Sequence, residues 1–279
     1  MSVHRKHGFT LVELLVVIGI IALLVAILLP SLNKARQSAQ LLNDQSNFRQ
    51  VYHAVLFYAT ENKGYLPFQS RPDTWNYGNG TNAFIEMTLA KYLGNPNIDI
   101  QLGEIPAVFR CSLGIQPGEG TVVWQPSAWR TMAWQPRAFP GYDQAVTADL
   151  QKEWPQRKLA SIRDAASKIA FWEGAQLLDW NVCPEPERIM LDGWRWSWGH
   201  MYADPPVNSY DQGHMDQPID GGPNKDGAGW WANGMIRYRH MNNSVTPVAF
   251  FDGHVESRRY NNARQVSEII TKEMCINRH

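Results

Sequence analysis

The chain changes character at residue 30. Residues 9–29, FTLVELLVVIGIIALLVAILL, form a 21-residue apolar run that carries a single charge, Glu13. At ~1.5 Å rise per residue such a run spans roughly 30 Å, the hydrocarbon thickness of a bilayer. No water is available there, so every backbone polar group must bond within the segment, and a helix is predicted. Arg5 and Lys6 beside its start would hold that end on the cytoplasmic side. Beyond Pro30 the pattern becomes amphipathic. Leu32, Ala35, Ala39 and Leu42, then Leu41, Phe48, Tyr52, Val55 and Ala59, recur at spacings of three, four or seven. Lys34, Arg36, Gln37, Asn43, Asp44, Gln50 and Asn62 fill the intervening polar positions. The helix should stop near Asn62–Lys63, with Gly64 as a left-handed cap and Pro67 preventing its resumption. A helix from Phe9 to residue 62 would be roughly 80 Å long. Pro30 predicts a kink, and Gly19 is a second weak point.

After residue 63 turn formers take over, in a chain with 17 Pro and 21 Gly. That composition predicts a loop-rich α+β head over 63–279, with an antiparallel sheet and a few short helices. Helices are expected at 83–93, ended by Gly94, and at 262–274. Candidate strands are Val108–Cys111, Val122–Trp124, Thr131–Ala133, Lys168–Trp172, Met235–Tyr238, Pro247–Phe251 and His254–Arg258. Asp252-Gly253 between the last two reads as a two-residue hairpin turn with positive φ at both positions.

Glu13 distinguishes the apolar run from a secretory signal peptide or a plain anchor. A signal peptide has a shorter apolar region, roughly 7–15 residues, followed by a small-residue cleavage site. A plain anchor has no use for a carboxylate five positions into hydrocarbon, where it costs a few kcal/mol without a partner. HGFTLVELLVVIGIIALL resembles the prepilin signature, in which Gly is followed by Phe, Thr, Leu, a variable residue and Glu. The resemblance implies a leader over 1–8, cleavage between Gly8 and Phe9 by prepilin peptidase, and methylation of the new Phe9 amine. It also implies an assembly platform in the cytoplasmic membrane and neighbouring pilin-like subunits as partners. Physical chemistry supplies a reason for the acid: a neighbour's freed ammonium would be neutralised by Glu13, although such a pair need not add net stability. Phe9, Glu13 and Pro30 are then the filament-assembly residues, with Pro30 a point of loosening.

Parts of the head resemble a processing-associated prepilin group. In RHMNNSVTPVAFFDGHV, His240 precedes the Asp252-Gly253 turn, as in that group's motif, where nine residues intervene. Here eleven intervene, so the spacing departs by two. WNYGNGTNAFIEMTLAKYLG before FRCSLG, and KLASIRDAASKIAFWEG, resemble further segments, with Ser112 and Ala166 where proline is common.

Charge and candidate chemistry narrow the function. Lys+Arg and Asp+Glu balance at 26 each, so no global field marks a nucleic-acid binder. Cys111, Cys183 and Cys275 are far apart and form no CxxC or Cys/His cluster, so no zinc site is expected. They leave open one disulfide of undetermined pairing or three unpaired, mostly buried thiols. Asp211, Asp216, Asp220 and Asp226 crowd a Gly/Pro-rich loop that offers oxygen ligands of the kind Ca²⁺ takes. Some secretion pseudopilins resemble this in having a calcium-stapled loop, but the spacing is not that of an EF-hand, and a solvated polar loop is preferred. His240, Asp252 and His254 offer transition-metal ligands, against which stands a structural His–Asp hydrogen bond beside a tight turn. Glu173 and Glu256 pair as acid and base only on paper. No nucleophile motif, HExxH or phosphate loop is present, so no enzyme and no cofactor is expected.

Twelve Trp residues include the alternating Trp194, Trp196 and Trp198, which on a strand would face one side. They would serve as core volume or, in a minor or tip subunit, as a glycan-stacking surface. The expected protein is a single-pass membrane precursor with an exported head. It would become a structural subunit of a type IV pilus-like filament or a type II secretion pseudopilus. An adhesin and an exported enzyme on a pilin anchor are the rival readings.

Overall fold

The computed structural model describes residues 11–68, 85–95, 106–114, 131–134, 138–139, 156–174 and 236–260. One long helix, α1 (Leu11–Glu61), runs unbroken through Pro30 for roughly 77 Å. Proline deletes the amide that would bond one turn back. The adjacent Ser31 hydroxyl donates to the Leu28 carbonyl at 2.8 Å in the same turn. The helix ends where turn chemistry predicts. The Gly64 amide bonds the Ala59 carbonyl at 2.7 Å, and Lys63 (φ 55°) and Gly64 (φ 85°) are both left-handed.

Only the later half of α1 packs on the head. Its buried positions are Asp44, Phe48, Val51, Tyr52, Ala54, Val55, Tyr58 and Ala59. Two expectations need correction. Leu32 and Leu42 are exposed rather than packed: Leu42 lies off the stripe that carries Asp44 and Phe48, and no described part of the head covers Leu32. Asp44 is buried, not an outward polar position, because it falls four residues before Phe48 on the packed stripe.

The head is α+β, as composition predicts. Helix α2 (Ile85–Ala90) continues as a 3₁₀ turn, Lys91–Leu93, and stops at Gly94 (φ 80°). Four antiparallel strands form one sheet in the order β1 (Met132–Trp134), β2 (Ile169–Glu173), β3 (Val245–Phe250), β4 (Val255–Arg259). Each lies within a residue or two of its predicted span. Val108–Cys111 is not a strand: Ala107–Phe109 form a 3₁₀ turn after Pro106. Over Met235–Tyr238 the described residues show a single bridge, Ile236 to Gly174. Val122–Trp124 and the helix at 262–274 lie outside the described residues.

Pro247 sits in a strand that has neighbours on both sides. Pairing with β2 ends at Val248, and the Glu173 carbonyl accepts from the Arg237 amide instead, so the missing proline donor breaks no ladder bond. Aromatic side chains fill the space between sheet and stem. Phe171 packs against Phe48 (ring centroids 5.2 Å) and Trp134 (4.7 Å), and Phe139 stacks on Phe251 (5.9 Å). Trp134 and Trp172 are fully buried and supply core volume.

The β3–β4 hairpin also departs from expectation. Its loop has three residues, Phe251–Gly253, not two. The Gly253 amide donates to the Phe250 carbonyl, the Phe250 amide donates to the His254 carbonyl, and of Asp252 and Gly253 only Gly253 (φ 96°) is left-handed. This is the turn-plus-bulge hairpin, whose bulge increases the local twist of the strands. Tyr52 on α1 donates its hydroxyl to the Phe251 carbonyl, and its ring lies against Gly253. A Cβ on Gly253 would sit 2.7 Å from Tyr52 Cε1, on backbone that side chains rarely adopt. Gly253→Ala should therefore lower stability by about 1–3 kcal/mol, measured by urea unfolding of the detergent-solubilised chain. An unchanged midpoint would show that the hairpin does not need this contact.

Candidate functional site: the bare helix and a buried ionic knot

Two features of α1 carry the functional argument. The first is its bare half. From Leu11 to Leu29 the large apolar side chains are all exposed in this chain, for example Leu11 at 78% and Ile27 at 65%. It is the one helix among the described residues long and apolar enough to cross a membrane. Glu13 stands in its first turn. Gly8 and Phe9 lie outside the described residues, and nothing in the described head covers the run that follows them.

The second is a knot of buried polar groups beneath the sheet. His240 Nε2 lies 3.2 Å from Asp44 Oδ2, 3.2 Å from Glu173 Oε1 and 3.7 Å from Cys111 Sγ. The four residues come from α1, from the turn after Ala107–Phe109, from the end of β2 and from the segment preceding β3. All are buried. Ser112 donates to Asp44 from its amide and its hydroxyl, each at 3.1 Å to Oδ2. The Cys111 amide donates to Thr131 Oγ1 at 2.6 Å, and the Leu113 amide approaches Cys111 Sγ at 3.4 Å. Met241, Asn242 and Asn243, which follow His240, form a left-handed turn (φ 49–59°) closed by the Ser244 amide on the His240 carbonyl.

Charge explains why these groups meet. Burial alone would push the His240 imidazole down, but hydrogen bonds to Asp44 and Glu173, and their charges, outweigh it and lift its pKa to about 9. Burial, reinforced by the Glu173 charge, pushes the Cys111 thiol up, so without a metal it keeps its proton. Glu173 Oε2 and His240 Nδ1 are buried with no hydrogen-bond partner among the described residues.

The residues expected to act together are redistributed. His240 faces Asp44 and Glu173, while Asp252 accepts from the His254 amide and pairs with its ring Nδ1 at 2.5 Å. Against some burial, those bonds hold Asp252 below the usual carboxylate range. The His–Asp hydrogen bond beside the turn is thus His254–Asp252. Glu256 is on the rim, near His254 and Arg258, and does not meet Glu173. Cys111 is a buried thiol, not a strand residue. Cys183, Cys275, Asp211, Asp216, Asp220, Asp226 and Trp194, Trp196 and Trp198 lie outside the described residues. The sequence does not show Asp44, Cys111 or Glu173 as partners of His240, and it offers Glu173 a partner only in Glu256. For Asp44 the helical spacing to Phe48, Tyr52, Val55 and Ala59 carries the signal.

Comparisons with known proteins bear on the first feature. The family model described as the prokaryotic N-terminal methylation motif matches residues 3–29. With the apolar helix and the α+β head, that match supports a type IV pilin-like family. Over 55 residues, 18% of the chain, it is 49% identical to the type IV wide pilus major component PilA4 of Thermus thermophilus. The match spans 42% of that relative's length. No solved structure matches the chain significantly.

The knot has a pH signature in chelator-treated protein. A histidine whose pKa rises from 6.5 to about 9 on folding stabilises fully below pH 6.5 and loses that contribution as pH climbs through 9. Urea unfolding of the full chain should show about 3 kcal/mol less stability at pH 9.5 than at pH 6 from this group. His240→Gln should flatten that slope. A slope unaltered by the substitution would assign the effect elsewhere.

Proposed function

We propose that this chain is a structural, non-enzymatic filament subunit made as a prepilin. Residues 1–8 are the leader, 9–62 the stem and 63–279 the exported head. Prepilin peptidase cuts between Gly8 and Phe9, the Phe9 amine is methylated, and an assembly platform in the cytoplasmic membrane adds the subunit to a pilus-like or pseudopilus filament. The observation that carries this reading is the methylation motif over residues 3–29, continuous with a helix whose apolar half finds no cover among the described residues of its own chain. The stretch shared with PilA4, named as the major component of a wide pilus, supports it.

The physical logic is a change of solvent. A bare apolar helix is satisfied by lipid acyl chains, and later by the same helix of neighbouring subunits. Glu13 is tolerable in that dry bundle when a neighbour's Phe9 ammonium meets it. The pairing adds direction: a subunit at the wrong axial stagger leaves a carboxylate and an ammonium unpaired. The head needs no reaction chemistry for this task, only a fixed attachment to the stem.

Mass spectrometry of membrane and sheared surface fractions should find a mature terminus at methylated Phe9. Glu13→Ala should be cleaved normally, while its sheared fraction falls about tenfold, as a kcal/mol or two lost per subunit contact requires. A chain retaining residues 1–8 in the sheared fraction, or a Glu13→Leu form that polymerises normally, would overturn the reading.

A further inference from the structure

The knot holds more convergence than a hydrogen-bond network needs. An imidazole carries at most one hydrogen on Nε2, and it cannot point at two carboxylates and a sulfur together. Yet all three surround that atom, and the four ligand-type atoms lie within 4.8 Å of one another. A tetrahedral zinc ion with bonds of about 2.0–2.3 Å has ligand–ligand edges of roughly 3.3–3.7 Å. The separations from His240 Nε2, at 3.2, 3.2 and 3.7 Å, are close to such edges.

Two independent observations point the same way. Glu173 Oε2 is buried without a hydrogen-bond partner among the described residues, on a side chain 0% exposed. A fully buried carboxylate with one bare oxygen is under-compensated by its hydrogen bonds, and a cation held on Oε1 would supply the missing charge. Around the cluster, donors already steady the groups that a cation would draw on. The Ser112 amide and hydroxyl hold Asp44, and the Leu113 amide lies against Cys111 Sγ. Metal ligands are commonly oriented by such outer contacts.

We infer that Asp44, Cys111, Glu173 and His240 form a tetrahedral site for a divalent transition metal, with zinc the best fit. Calcium and magnesium take oxygen ligands alone, whereas one nitrogen, one sulfur and two carboxylates suit zinc. The charge balances. One dication enters, one proton leaves His240 Nε2, one leaves the Cys111 sulfur, and the buried net charge is unchanged. A cleft of ≈ 310 Å³, lined by Asn43, Asp44, Asn47, Arg110, Cys111 and Ser112, leads from the exposed Asn43 and Ser112 to two of the ligands. With four protein ligands the site has no open position, so the metal is structural: it staples the stem to β2 and to the segment before β3.

The test uses the full chain in detergent micelles. Elemental analysis of protein purified without added metal should find about one zinc per chain. After stripping with a chelator, Co²⁺ should give the intense visible bands of a tetrahedral site and a near-ultraviolet thiolate-to-cobalt band. Cys111→Ser should abolish the ultraviolet band, and His240→Gln should weaken zinc binding at least about 100-fold. Cys183→Ser/Cys275→Ser should keep both signals. The inference fails if stripped wild-type protein takes up neither zinc nor cobalt. It also fails if the thiolate band survives Cys111→Ser or disappears from the double variant. Should Cys111→Ser not fold, wild-type stoichiometry and the double variant still decide.

Discussion

Asp44 is the one charged position on the packed stripe of α1, and His240 is the group that lets it stay there. A carboxylate taken out of water needs a nearby positive charge and donors for its lone pairs. In the metal-free chain the protonated imidazole supplies the charge, and in the inferred loaded site the cation does; the Ser112 amide and hydroxyl donate in either case. Meeting that demand constrains the rest of the head. The turn carrying Cys111 and Ser112 must lie beside the stem, β2 must end so that Glu173 turns inward, and the chain must arrive at β3 through His240. Removing one partner of such a buried pair typically costs about 3–5 kcal/mol, although the intact pair contributes little net stability. Its effect is therefore alignment. The left-handed turn of Met241, Asn242 and Asn243 is tolerated in the same way. A non-glycine residue there costs roughly 1–2 kcal/mol, least for asparagine, and the fixed His240 and β3 leave no gentler route.

A second clamp lies further along the helix. Tyr52 bonds the Phe251 carbonyl and lies flush against Gly253, while burial and the Asp252 charge raise its hydroxyl to about 12 and keep it a donor. Asp44 and Tyr52 are eight residues apart, roughly 12 Å along the axis and little more than two turns. One contact would permit the head to swivel. Two, about a quarter-turn apart around the packed side, fix both height and rotation of the sheet on the stem. Gln45 to Ser257 and Gln37 to Asn242 add hydrogen bonds beside and beyond them.

What could be read from the chain depended on how local the cause was. The apolar run, Glu13, the Gly64 and Gly94 stops, and the short strand-forming runs that became β2, β3 and β4 are set within a few residues, and they stand where expected. The Asp-Gly turn was legible as a turn, but its three-residue form was not, because Tyr52 from a distant helix selects the bulged geometry. Val108–Cys111 has strand-like composition, yet the preceding proline and the polar demands of the knot turn it into a 3₁₀ segment. The knot joins residues at 44, 111, 173 and 240, and no spacing rule links them. Asp44 alone left a trace, since a carboxylate in step with Phe48 and Tyr52 cannot face water while they face the sheet.

The division of α1 gives these clamps a purpose in the proposed filament. Residues 11–29 have no cover among the described residues, the stripe from Asp44 onward is committed to the head, and the stretch between is mostly exposed and touches the head through Gln37. In a helical assembly the buried Glu13 would set the axial position of each stem, because an ion pair in low dielectric leaves no shallow minimum for a slipped neighbour. That register reaches the outer surface only if stem and head turn as one body. A head free to rotate about Asp44 would display a different face at every subunit, and head-to-head contacts could not repeat. In the proposed filament the two would therefore complement each other: the lone acid in the apolar run would fix the stem against its neighbours, and the buried charges in the head would fix what the stem carries.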